Sequence, residues 1–114
     1  FLDTETFIGP SDIGWYFVEE YNGSDATHRL SQSPQTFADA VVTPTLVIHS
    51  EDDLRCPLGP ALRYYTTLKL AGVEAELLVF PGENHELSRS GTPHHRKQRF
   101  DAILDWWARH LPTS

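Results

Sequence analysis

Two short apolar runs stand out along the chain. The first, TLVIH at residues 45–49, follows Pro44 and breaks into Ser50, Glu51, Asp52 and Asp53. The second, AELLVF at residues 75–80, is apolar after Glu76 and ends at Pro81-Gly82. Runs of this kind read as strands buried on both faces, because a sheet sandwiched between helices has no polar face to alternate with. Between them Leu58, Ala61, Leu62, Tyr65 and Leu68 recur at helical spacing. Pro57 and Pro60 suit a first helical turn, and Ala71-Gly72 suits the end of the last. Strand, helix and strand predict a right-handed βαβ unit with parallel strands.

The flanking segments are less regular. Residues 1–11 read as a loop or a strand remnant, punctuated by Gly9-Pro10. Ser11 is an expected N-cap for a helix over residues 12–21, with Ile13, Tyr16, Phe17 and Tyr21 on one face and Asn22-Gly23 as its stop. Residues 22–43 read as irregular, with a turn of helix over residues 36–40. After a polar loop, ENHELSRSG at residues 83–91, Thr92-Pro93 opens a final helix that Pro112 stops. Its expected apolar stripe is Phe100, Ile103, Leu104, Trp107 and Leu111; of the adjacent Trp106 and Trp107, only one can lie centrally on it. The cations in its first turns, which a helix N-terminus disfavours, call for carboxylate partners or a later helix start.

Composition narrows the classes. The chain has 114 residues, a formal net charge of −7 and one cysteine. A negative balance argues against nucleic acid or anionic membrane as partners. One cysteine forms no internal disulfide, which fits a reducing compartment, and the cytoplasm is the expected one. No run approaches the length of a membrane span. Two buried parallel strands need a larger sheet around them. The chain, which begins at Phe1, is therefore expected to be a piece of something longer, an incomplete α/β domain.

The chemistry gathers where the strands end. Parallel neighbours bring the loop of Asp53 beside the loop of His85. An Asp beside a His holds the ring in one tautomer and stabilises the imidazolium that forms when the ring takes a proton. Two readings stand for the acidic loop: a ligand or catalytic edge of an open sheet, or carboxylates that cap the next helix. Asp52 is the rival for the acid role, and the spacing from the strand favours Asp53. Cys56 could be a nucleophile only with a lowered pKa; packing is its ordinary role. Six histidines invite a metal, but none falls in a specific ligand spacing, and no metal or cofactor is expected.

The stretches SPQTFADAVVTPTLVIHSEDDLRCP, LKLAGVEAELLVFPGENHELSRSG and RFDAILDWWARHL occur in this order. With SDIGWYF before them, they resemble the C-terminal part of the catalytic α/β-hydrolase domain of the prolyl oligopeptidase family of serine peptidases, acylaminoacyl-peptidase-like branch. The resemblance spans residues 1–114. It implies that Asp53 and His85 are the acid and base of a Ser-His-Asp triad, and that Arg55 holds a carbonyl of bound peptide. An ion pair of Arg55 with Asp52 or Glu51 is the competing role. The chain departs from the family in lacking the G-x-S-x-G elbow that exposes the nucleophile; none of its serines is framed by glycines. The expectation is a chain inactive alone, whose partners are a peptide substrate, the rest of the catalytic domain, a propeller domain and further copies of itself. The rivals are a fragment of a small-molecule esterase on the same fold, or a non-catalytic oligomerising remnant.

Overall fold

A computed structural model describes residues 1–112. Strands β1 (Thr45–Ser50) and β2 (Ala75–Phe80) pair in parallel, in register from Thr45 opposite Ala75 to Ser50 opposite Phe80. The crossover between them carries helix α4 (Leu58–Leu70), which packs on both strands. This is the βαβ unit that the apolar runs predict. Leu68 at the end of α4, Val73 and Ala75 form a buried cluster, sealed by Val41, Tyr64 and Tyr65. The even register has a functional consequence: both strands stop at the same level, so the loops after Ser50 and after Phe80 leave the sheet side by side.

Helix α6 (Pro93–His110) starts where Thr92-Pro93 predicts and packs on β1. Its stripe differs from the expected one. Trp106 is buried, while Phe100, Leu104, Trp107 and Leu111 are each more than half exposed. Two strands offer only a narrow floor, and the apolar arc of α6 is wider than that floor covers. The strands are under-covered for the same reason. Val47 is buried, but Leu46, Ile48, Leu77, Leu78 and Val79 are only half-buried. Among the described residues the sheet has two strands, each with one unpaired edge.

The N-terminal third is more helical than the sequence predicts. Residues 1–11 contain helix α1 (Thr4–Ile8) rather than a strand remnant, with Asp3 as N-cap accepting from the Glu5 N–H at 3.2 Å. Residues 22–43 contain an unexpected helix α3 (Ala26–Ser31), capped by Asp25, and a 3₁₀ helix (Pro34–Ala40) that includes the expected turn over residues 36–40. Five- and six-residue helices carry no periodic stripe, so only their capping aspartates mark them. Helix α2 (Gly14–Tyr21) begins two residues later than predicted. Its Tyr16 and Tyr21 point outward, while Val18 is buried and Phe17 stacks among Phe1, Phe7 and Tyr21. A short helix α5 (Leu87–Ser90) lies within the loop that carries His85.

Candidate active site

The acid loop is built around a buried carboxylate. Asp53 is 8% exposed. Its Oδ1 accepts the backbone N–H groups of Arg55 at 3.0 Å and Cys56 at 2.8 Å. Three successive polar residues after a strand would otherwise leave those donors unpaired at the sheet edge. The carboxylates do not cap the next helix: the N-cap of α4 is Pro57, with no side-chain cap bond, and Asp53 instead closes its own turn.

The same carboxylate holds His85. Nδ1 of His85 lies 3.0 Å from Asp53 Oδ2 and 3.2 Å from Oδ1. A carboxylate only accepts, so Nδ1 carries the proton and Nε2 presents its lone pair. The ring is 42% exposed, and Nε2 has no hydrogen-bond partner among the described residues. A buried acid behind an open, oriented imidazole is an arrangement that can take a proton from a nucleophile approaching from solvent. Asp52, the rival acid, makes no bond to His85; its backbone N–H donates to the Glu83 carbonyl at 2.9 Å.

Arg55 is at the rim, but its partner is neither Asp52 nor Glu51. The guanidinium forks onto Asp12, with Nε to Oδ1 at 2.7 Å and Nη2 to Oδ2 at 3.4 Å. Asp12 holds the Arg55 guanidinium above its ordinary pKa. The carboxylate of Glu51 instead accepts the Gly82 N–H at 3.1 Å. Gly82 has φ +71°, a backbone region that glycine adopts without strain. Ser11 is not the N-cap of α2, a place taken by Ile13; its Oγ donates to the Arg55 carbonyl at 2.6 Å, and the Asp12 N–H donates to the Leu54 carbonyl at 2.8 Å. The segment before α2 is therefore stitched to the acid loop. Together Asp12, Asp52, Leu54, Arg55, Gly82, Asn84, His85 and Glu86 line an open cleft of about 430 Å³.

His49 escaped the sequence reading, and Cys56 takes the packing role expected of it. His49, at the end of β1, donates from Nε2 to the Cys56 carbonyl at 2.6 Å and lies 3.6 Å from Asp53 Oδ2. It closes the acid loop from behind and brings a second ring N–H toward the buried carboxylate. Only its place, four residues before Asp53 at a strand end, could have flagged it. Cys56 has its thiol pushed up chiefly by burial, the reverse of what an activated thiolate needs. Among the described residues no group of three His, Cys, Asp or Glu is placed to hold a metal ion, and no helix is long and apolar enough to cross a membrane.

This geometry coincides with a family assignment. The family model described as the prolyl oligopeptidase family matches residues 1–114. The chain belongs to the prolyl oligopeptidase family. Over 110 residues it is 39% identical to the uncharacterized peptidase YuxL of Bacillus subtilis, covering 93% of this chain and 17% of that protein. It is 33% identical over 113 residues to the acylamino-acid-releasing enzyme of Arabidopsis thaliana, covering 90% of this chain and 14% of the relative. The fold superposes on the uncomplexed acylaminoacyl peptidase of Pyrococcus horikoshii with a TM-score of 0.89 and 34% identity, over 96% of this chain and 18% of that one. The architecture is thus a partial α/β-hydrolase domain similar to that of the acylaminoacyl peptidase. The chain spans less than a fifth of the length of these relatives.

Proposed function

We propose that this chain is the C-terminal part of the catalytic domain of a serine peptidase, and that it supplies the acid and base of the triad. His85 takes the proton of a serine hydroxyl through Nε2 and returns it to the leaving amine. Asp53 holds the ring in the Nδ1–H tautomer and stabilises the imidazolium. The observation that carries this reading is the pair of contacts from His85 Nδ1 to both oxygens of buried Asp53, with the other side of the ring open.

The nucleophile belongs to a G-x-S-x-G elbow elsewhere in the parent protein. No serine among the described residues hydrogen-bonds to His85. The chain alone is therefore inactive toward peptides. The names of the acylamino-acid-releasing relatives support short or N-acylated peptides as the substrate class. Arg55, steadied by Asp12 at the cleft rim, offers its remaining N–H groups to a peptide carbonyl. The half-covered strands and the exposed arc of α6 are surfaces for the rest of the domain, for a propeller domain or for another copy. A cytoplasmic location accompanies this reading, supported by the lone free thiol of Cys56.

Hydrolysis of an N-acetylated peptide by the parent protein, and by the chain alone, tests it. Turnover by the parent that disappears in His85→Ala, with none by the chain, is expected. Turnover by the purified chain that is lost in His85→Ala would contradict it.

A further inference from the structure

We propose that Glu83 is a positioning residue for His85: its buried side chain clamps the histidine loop to the start of α6. This rests on the reading of His85 as the general base. Glu83 is one of three buried carboxylates among the described residues, with Asp3 and Asp53. Asp3 caps α1 and pairs with Arg63, and Asp53 holds His85. Glu83 is the remaining one, and it sits two positions before the base.

A single oxygen of Glu83 carries the clamp. Oε1 accepts the Thr92 N–H at 3.0 Å, the Thr92 hydroxyl at 2.7 Å and the His95 Nδ1–H at 2.7 Å. Thr92 makes no side-chain cap bond to its own helix; its hydroxyl is given to Glu83 instead. The carboxylate also lies at the start of an eighteen-residue helix, where negative charge is favoured. The other oxygen fills the space beside Gly91, where an added Cβ would lie 2.7 Å from Oε2. The His95 ring in turn lies against Phe80, the last residue of β2, at 5.3 Å between centroids. Finally, the Glu83 backbone carbonyl accepts from Asp52. One residue therefore joins the acid loop, the histidine loop and α6.

The two halves of the pair differ in how they are held. Asp53 is fixed by the N–H groups of Arg55 and Cys56 within its own turn. His85 is half open to solvent, and among the described residues its ring has only Asp53 as a hydrogen-bond partner. Its placement depends on the loop, and the loop is closed by the Glu83–Thr92 contact nine residues apart. Loosening that contact moves the base against a stationary acid. That costs turnover rather than ground-state binding.

The test uses the parent polypeptide that carries these residues, with Glu83→Ala, Glu83→Gln, Thr92→Val and His85→Ala, measuring kcat and KM on an N-acetylated peptide. Glu83→Ala is expected to lower kcat by about 100-fold, the scale of an ångström-sized misplacement, with KM unchanged. Glu83→Gln keeps an acceptor for all three donors and is expected to recover most of kcat. Thr92→Val removes one donor and falls between; it decides the matter if Glu83→Ala does not fold. Unchanged kcat in Glu83→Ala, or in Thr92→Val where the alanine variant does not fold, overturns the proposal even if thermal stability drops. His85→Ala separates the two ideas. If it abolishes turnover while the clamp variants keep kcat, only the role of Glu83 fails. If it leaves turnover intact, the reading of His85 fails and this proposal with it.

Discussion

Nδ1 of His85 meets Asp53 Oδ2 at 3.0 Å across 32 positions of sequence. The contact exists because β1 and β2 are parallel, adjacent and level at their ends, with Ser50 opposite Phe80. Each loop then needs only a few residues to deliver its side chain to the same edge.

Asp53→Asn tests the tautomer. An asparagine oxygen still accepts from Arg55 and Cys56, so the loop survives. Its amide can instead donate to Nδ1, which moves the ring proton to Nε2 and removes the lone pair that, on the proposed reading, takes the serine proton. In the parent enzyme kcat is expected to fall by about 10⁴-fold with the fold intact by circular dichroism.

His49 separates stability from chemistry. Replacing it by Phe leaves the Cys56 carbonyl without its ring donor in a half-buried turn. A loss of about 1–3 kcal/mol is expected, the cost of an unsatisfied buried acceptor, measured by chemical denaturation of the parent.

Arg55→Lys is not a conservative change here. Lysine cannot reproduce the two-pronged contact with Asp12. If Arg55 holds a substrate carbonyl in ground and transition states alike, KM rises and kcat stays. Asp12→Asn shifts KM in the same direction, because it releases the same guanidinium; steady-state kinetics on a peptide substrate checks both.

Glu83 gives the acid side of stability a sign. Thr92 and then His95 hold its carboxyl below the ordinary 4.5. In that window the unfolded chain binds more protons than the folded one, so stability rises with pH. The contribution is fully present above the unfolded value and is lost as pH falls through the depressed folded value. Glu83→Gln is expected to flatten the slope of denaturant midpoint against pH below about pH 4.5. From α6, His95 meets this carboxylate directly, with the His94 ring beside the His95 ring at 6.0 Å between centroids.

The exposed arc of α6 bears on assembly. Leu104 is 62% and Trp107 53% exposed on one helix face. Unpartnered apolar faces and open sheet edges drive association. The chain alone is expected to self-associate in sedimentation velocity, and Leu104→Glu with Trp107→Glu to reduce that association.

Much of this was legible in the sequence where the physics is local or periodic. The strands, α4, α6 and the meeting of the Asp53 and His85 loops follow from apolar runs, proline and glycine punctuation, and parallel pairing. The apolar arc of α6 was legible too, but not which part of it the sheet covers, because that depends on the width of the sheet. Hence Trp106 is inside and Trp107 is not. Asp12 as the partner of Arg55 lies 43 positions away, just before a helix whose local pattern does not say what it packs against. The Glu83 clamp looks in sequence like one more charge in a polar loop. Its partners Thr92 and His95 become visible only when α6 is folded back. Of the cations at the start of α6, Lys97 pairs with Asp101 one turn on, and the Arg99 guanidinium lies over the Phe100 ring instead of a carboxylate.

The most direct test of the pairing of Asp53 and His85 is covalent. The parent protein is treated with an N-acylated peptide chloromethyl ketone, and the modified residue is located by mass spectrometry. Alkylation of His85, slowed in Asp53→Asn, is expected. An adduct confined to Cys56, or none on His85 while the enzyme is inactivated, would contradict the assignment of His85 as the catalytic base.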